Sequence, residues 1–222
     1  MWRDAMVVAG RDLRIEGRSR VITNQVLPFA LLVLVLFAVA LDPDRGVLDR
    51  AAAGLFWVAV LFSALLAIQR SFAIEATDEA RDGLRLSGLD PAGIFLGKAL
   101  AVAAQLIVLE VVLTAGVAVL YGSELDGPVL LAATALLATV GLAAAGTIYG
   151  VVAAGLRVRD TLLPLLVLPV VAPVLLASTR AWEAGLQGVP GEGWSWLRIL
   201  GVFAVIYMAV GIAAFGSLLE DA

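Results

Sequence analysis

Neither cysteine nor histidine occurs in these 222 residues. The first absence removes disulfides, thiolate nucleophiles, iron–sulfur ligation and covalent haem attachment through cysteine, and with them any reading of redox compartment. The second removes the commonest metal ligand and the usual proton carrier at neutral pH. Charge is scarce as well. Asp, Glu, Lys and Arg make up 15% of the chain, against about a quarter in a soluble domain. A P-loop is also missing. Gly93-Ile94-Phe95-Leu96-Gly97-Lys98-Ala99 has one residue too few between its glycines, and Ala99 stands where magnesium needs Ser or Thr. The stretch opens an apolar run instead of following a strand, so this chain does not hydrolyse ATP by itself.

What is present is apolar. Residues of the AVILMFWYC set make up 62% of the chain, and its mean hydropathy is +1.01. Apolar runs predict spans over about 24–41, 54–69, 94–121, 128–156, 162–177 and 197–219, where a helix needs about 20 residues to cross a bilayer. The expected fold is an all-α integral membrane protein of six transmembrane helices, with residues 1–222 forming a single membrane domain. Residues 1–20 are charged and mixed, which does not fit a cleaved signal peptide. The weakest span is the fifth. Pro164, Pro169 and Pro173 each lack an N–H and crowd the preceding turn, so this span is expected to be kinked or broken, as a bent rod or a re-entrant half-helix.

Cations set the expected orientation. Arg3, Arg11, Arg14, Arg18, Arg20, Arg70, Arg81, Arg85, Lys98, Arg157 and Arg159 fall on one side, and Arg45, Arg50, Arg180 and Arg198 on the other, accounting for all 15. Both termini are therefore expected in the cytoplasm, with Trp182, Trp194 and Trp196 at the outer interface. In the N-terminal segment Trp2, Met6, Ala9 and Leu13 share one helical face, with Asp4, Arg11, Arg14 and Arg18 opposite. Two readings stand equally: an interfacial helix with its arginines near anionic lipid, or a basic flank that only fixes topology.

Four features bear on function. Between the second and third spans, Glu75, Asp78, Glu79 and Asp82 form an acidic helical stripe beside an apolar one of Phe72, Ala76, Ala80 and Leu84. An acidic amphipathic helix next to a membrane suits a protein groove better than anionic lipid; the alternative is a solvated connector. Gly146 and Gly150 make a GxxxG pair suited to close helix packing, within or between subunits. Glu110 is the one formal charge deep in an apolar run, with Thr114 and, less directly, Gln105 as its nearest polar neighbours. At helical rise it lies ~18 Å from Lys98 and ~16 Å from Tyr121. There it must face the bundle interior, hold a proton, or meet a polar partner, as part of a transport mechanism or as an interhelical tie. Finally, Gly193-Trp194-Ser195-Trp196 lies in an expected outer loop over Ser178–Trp196. Tryptophan-rich outer loops hold haem in some cytochrome-assembly proteins, but the interfacial belt is the default explanation.

The ordered set of segments resembles the haem exporter protein B family, CcmB, of bacterial cytochrome c maturation. Arg11-Asp12-Leu13-Arg14-Ile15-Glu16 is similar to its basic opening, and Ala38-Val39-Ala40-Leu41-Asp42-Pro43 to the end of its first span. Leu55-Phe56-Trp57-Val58-Ala59 and Gln69-Arg70-Ser71-Phe72 resemble its second span and exit. Asp90-Pro91-Ala92-Gly93-Ile94-Phe95-Leu96-Gly97-Lys98-Ala99 with Leu109-Glu110-Val111 resembles its third. The three prolines fit its fifth, and Trp196-Leu197-Arg198-Ile199-Leu200 with Val205-Ile206-Tyr207 its last. The resemblance implies an ABC-2-type permease of the bacterial inner membrane, not itself an enzyme, working with a separate CcmA-like ATPase. It also implies CcmC-like and CcmD-like membrane subunits, a CcmE-like haem chaperone, a homodimer within the complex, and no nucleic acid. Haem is then a possible substrate and ATP acts through the partner. Without His or Cys, only weak axial candidates such as Met208 or Tyr207 remain, so haem iron is expected on partners. Glu110 and Gln105 are the candidate transport and coupling residues, and Glu75, Asp78, Glu79 and Asp82 the candidate ATPase dock. A permease for another hydrophobic substrate and a non-transporting scaffold for assembly factors stay open.

Overall fold

The structure, a computed structural model of the chain, describes residues 1–20, 22–41, 45–73, 88–154 and 159–221. Among these residues there is no strand. The helices are α1 (Trp2–Ser19), α2 (Leu27–Leu41, entered through a π-helical turn at Ile22–Val26), α3 (Arg45–Ala73), α4 (Pro91–Tyr121), α5 (Pro128–Ala154), α6 (Arg159–Leu186) and α7 (Pro190–Asp221). Six of them, α2 with its turn through α7, are long and apolar enough to cross a membrane. Local chemistry sets several ends. Asp90 caps α4 by accepting the Ala92 N–H at 3.2 Å, and Pro91 takes the first helical position, where no N–H is needed. Gly122, at φ 67°, closes the same helix in the left-handed conformation that glycine adopts without strain.

Helix α5 is the hub and packs on α3, α4, α6 and α7. Its inner stretch is built from small residues, with Gly141, Ala143, Ala144, Ala145, Gly146 and Gly150 all buried. Gly146 faces Ile68 and Gly150 faces the Phe72 ring, both on α3, with no room for a Cβ at either position. The GxxxG pair therefore packs within the subunit. Small residues allow this approach, and dispersion and tight packing hold helices together where lipid is as apolar as the side chains.

Three expectations change. Helix α6 runs unbroken through Pro164, Pro169 and Pro173, so it is no half-helix. Near Pro173 the Val170 carbonyl accepts the Tyr207 hydroxyl of α7 at 2.6 Å, a tie between neighbouring helices one residue from the Pro169 carbonyl that Pro173 leaves without its N–H. The expected outer loop is mostly helix as well. α6 continues to Leu186 and α7 starts at Pro190, which puts Trp194 and Trp196 on the first turns of α7, partly exposed. Trp182 is no interfacial residue. It is buried, stacked on Phe56 at 3.7 Å, and donates its indole N–H to the Leu131 carbonyl at 3.2 Å.

Helix α1 does not simply lie apart from the bundle. Ala5, Val8, Ala9 and Asp12 are buried, and the helix is seated on α4 where two glycines thin the surface. A Cβ at Gly97 would sit 2.6 Å from the Ala5 carbonyl oxygen, and one at Gly93 2.8 Å from that of Met1. The glycines that mimic a nucleotide loop thus serve helix packing. The helix starts are also tied together. The N-terminal ammonium pairs with Asp4 at 3.0 Å and Asp90 at 3.4 Å, and the Asp90 N–H reaches Asp4 at 3.4 Å. The hydrogen bond with Asp4 raises the amine's pKa and lowers that of the carboxyl.

Candidate functional site

Two centres built on buried acidic or basic side chains interrupt the apolar interior among the described residues. The first lies where α1, the end of α3 and the start of α4 meet. Lys98 is 1% exposed and Asp12 8%, with Nζ and Oδ2 3.6 Å apart. Lys98 Nζ donates to the Ser71 carbonyl at 3.4 Å and to its Oγ at 3.3 Å, and Ser71 Oγ donates to Asp12 Oδ2 at 3.3 Å. Asp12 Oδ1 takes Arg11 at 2.8 Å. The Phe72 ring lies 4.6 Å under the ammonium, supplying a cation–π contact. Since Gly150 makes room for that ring, four helices converge on one lysine. The sequence suggests Lys98 as an interfacial cation; the structure gives it a buried lock. Asp12, two turns along α1 from Ala5, carries no periodicity signal that marks it as the partner.

The second centre is Glu110 on α4, 3% exposed. Its Oε1 accepts the Thr139 hydroxyl of α5 at 2.6 Å. Thr114, the neighbour expected from helical spacing, bonds the Glu110 carbonyl at 2.7 Å and leaves the carboxyl alone. Gln105 is not brought to Glu110. Five residues turn it to another face of the helix, where it lines a groove with Leu13, Glu16 and Arg20 of the α1 region. Thr139 was invisible beforehand because it comes from another helix, and a lone Thr in an apolar run carries no signal of its own. Glu110 also lines a groove of about 380 Å³ between α4 and α5, walled by Ile107, Val111, Leu131, Ala135, Leu136 and Trp182. The groove is apolar apart from that carboxyl and the Thr114 hydroxyl. The arrangement suits a carboxyl that gives or takes one hydrogen bond as helices move.

The weak haem-ligand candidates are placed elsewhere. The Tyr207 hydroxyl is spent on Val170. Met208 lines a cavity of about 140 Å³ between α1, α4, α5 and α7, below the ~300 Å³ at which ligand pockets begin. Glu75, Asp78, Glu79 and Asp82 lie outside the described residues. The described helices on either side of them in the sequence, α3 ending at Ala73 and α4 starting at Pro91, are the two that the Lys98 lock joins.

Comparison with known proteins covers nearly the whole chain. The family described as CcmB protein matches residues 3–221. Heme exporter protein B of Haemophilus influenzae is 34% identical over 195 residues, which is 88% of this chain and 87% of that protein. The protein of that name from Paracoccus denitrificans is 36% identical over 181 residues, covering 80% and 82%. That from Pseudomonas aeruginosa is 30% identical over 209 residues, covering 94% of each.

Proposed function

This chain belongs to the CcmB protein family, and on that premise we propose that it is a membrane component of a haem export system. The likeness to proteins named heme exporter protein B, end to end, carries the reading. In this reading residues 1–222 act as one permease unit of the bacterial inner membrane, without enzymatic activity of their own. A CcmA-like ATPase supplies the hydrolysis for which the sequence has no P-loop. CcmC-like and CcmD-like subunits and a CcmE-like chaperone hold the haem iron, for which this chain has neither His nor Cys. A second copy of the chain completes the permease.

The acidic connection of Glu75, Asp78, Glu79 and Asp82 is the ATPase dock. Its support is the lock between the two helices that flank it in the sequence: movement there reaches α1, α3 and α4 together through Lys98. Glu110 is the group inside the bundle whose hydrogen bond changes when α4 and α5 shift. Gln105, on the α1 side of α4, takes part in coupling. The cation split supports cytoplasmic termini. In this cysteine-free chain, Ser195→Cys should react with an impermeant thiol reagent added outside intact cells; failure to label while the protein is inserted overturns the orientation.

The function is tested in a bacterium lacking its own heme exporter protein B. Supplying this chain with its ATPase should restore haem staining of c-type cytochromes, and neither component alone should. Reversing charge at all four acids should abolish copurification of the ATPase while the permease still inserts. Unchanged copurification and unchanged ATPase activity would refute the dock. One observation favours a second reading, a permease for another hydrophobic substrate: the α4–α5 groove is apolar apart from Glu110 and Thr114 and is lined by none of the usual haem axial ligands, His, Cys, Met or Tyr. Stable ATPase binding without any recovery of cytochromes would select it.

A further inference from the structure

Helix α1 divides lengthwise into three sectors. Ala5, Val8, Ala9 and Asp12 are buried on the bundle. Beside them run Trp2, Met6 and Leu13, which are 68%, 55% and 38% exposed. At about 100° per residue, Arg3, Arg14 and Arg18 come together on the face opposite the buried stripe, and all three are exposed, with Val7, 57% exposed, as the one apolar residue among them.

The acids of this helix are all engaged by the protein itself. Asp4 holds the N-terminal ammonium and the Asp90 N–H. Asp12 holds Lys98, Ser71 and Arg11. Glu16 accepts Ser19 at 3.3 Å and lies 4.0 Å from Arg70 of α3. Arg11 is drawn onto Asp12. By contrast, Arg14 and Arg18 make no hydrogen bond or ion pair among the described residues, and Arg3 has only the attraction of neighbouring Asp4. A helix of mixed composition therefore presents a cationic outer face. The apolar sector beside that face also has a continuation. Trp2 borders a small cavity with Leu96 and Leu100 of α4, and Leu100 is exposed on the outside of a membrane span.

We propose that the outer face of α1 is a binding surface for anionic phospholipid headgroups. Trp2, Met6 and Leu13 enter the acyl boundary continuous with α4, and Arg3, Arg14 and Arg18 meet the phosphates. The observation that selects lipid over a protein partner is this side-by-side order of apolar and cationic sectors, joined to the surface of the spans. The proposal does not depend on what the permease moves.

Lipid retained by the full-length protein, extracted from membranes with its partner subunits, is read by native mass spectrometry. Phosphatidylglycerol should be enriched over phosphatidylethanolamine in the wild type. Each arginine should contribute about a fivefold preference, so the ratio should fall steeply in R3Q/R14Q/R18Q and hold in R3K/R14K/R18K. R180Q/R198Q, altered at the other end of the bundle, should leave it unchanged. If the triple variant is not recovered, R14Q alone should show its fivefold share. An unchanged ratio in R3Q/R14Q/R18Q, or an equal fall in R180Q/R198Q, overturns the proposal. So does loss of ATPase copurification at an unchanged lipid ratio, which would assign the face to protein.

Discussion

Lys98 and Glu110 stand about three turns apart on α4, both buried, and they are housed in opposite ways. Lys98 has an ion-pair partner, two acceptors on Ser71 and an aromatic face, contributed by α1 and α3. Glu110 has one hydrogen bond, from Thr139, and beyond it an apolar groove. A buried charge that is fully surrounded by partners resists change, because any rearrangement strips it of compensation. A carboxyl held by a single neutral donor has only one bond to exchange. We read the difference as that between a fastening and a movable part: Lys98 ties α1 and the end of α3 to the start of α4, and Glu110 is proposed to exchange its one bond when α4 and α5 shift.

The most severe way to break the contrast is at the fastening. Removing one member of a buried pair leaves the other uncompensated, at about 3–5 kcal/mol. Lys98→Met should therefore sharply reduce the amount of folded permease recovered in mild detergent, and Asp12→Asn should also reduce it. The double variant Lys98→Met/Asp12→Asn should recover most of the loss, since no charge is then stranded. Fluorescence-detected size exclusion of the three variants checks this. Additive losses in the double variant would mean that the two residues are not coupled.

How far the sequence shows this arrangement depends on how local each signal is. The spans were legible because apolar runs are a property of consecutive residues. The second and sixth begin earlier than apolarity suggests, since α3 starts at Arg45 and α7 at Pro190, and helices extend past the apolar part into polar turns. Glu110 stood out because one charge in an apolar run is conspicuous. Its partner Thr139, and the pairing of Lys98 with Asp12, arise from packing of separate helices, which no spacing within one helix encodes. The seat of α1 on the bundle is set between helices in the same way. Trp2, Met6 and Leu13 form the most apolar stripe, yet α4 offers two glycines there, and a shallow surface accepts Ala5 and Val8 before it accepts tryptophan. The prolines of α6 were visible, but the Tyr207 hydroxyl that bonds the Val170 carbonyl near Pro173 was not.

A smaller effect should sharpen the other half of the contrast. Glu110→Gln preserves shape and an acceptor for Thr139, so the complex should assemble in normal amount. If Glu110 is a movable part, cytochrome c maturation should nonetheless fall severalfold, measured by haem staining at equal permease level. Glu110→Leu removes the polar tie and should destabilise the fold by about 1–2 kcal/mol, the upper range for interhelical hydrogen bonds in a bilayer. Normal maturation in Glu110→Gln with reduced assembly in Glu110→Leu would make Glu110 a second fastening, and the contrast with Lys98 would vanish.

The smallest expected effect tests whether single neutral hydrogen bonds elsewhere in the bundle behave as fastenings. Tyr207→Phe removes only the hydroxyl that reaches the Val170 carbonyl, three residues before Pro173. The ring remains against Phe203, 5.8 Å between centroids, so packing changes little. Polar contacts between membrane helices average about 0.6 kcal/mol, because a freed carbonyl finds other donors when the helix relaxes. A loss of that order is expected in denaturant titration of detergent-solubilised protein, with haem staining unaffected. A loss of about 3 kcal/mol or more would place this bond beside the Lys98 lock, and would mean that α7 fastens α6 at its proline-bearing stretch instead of merely lying against it.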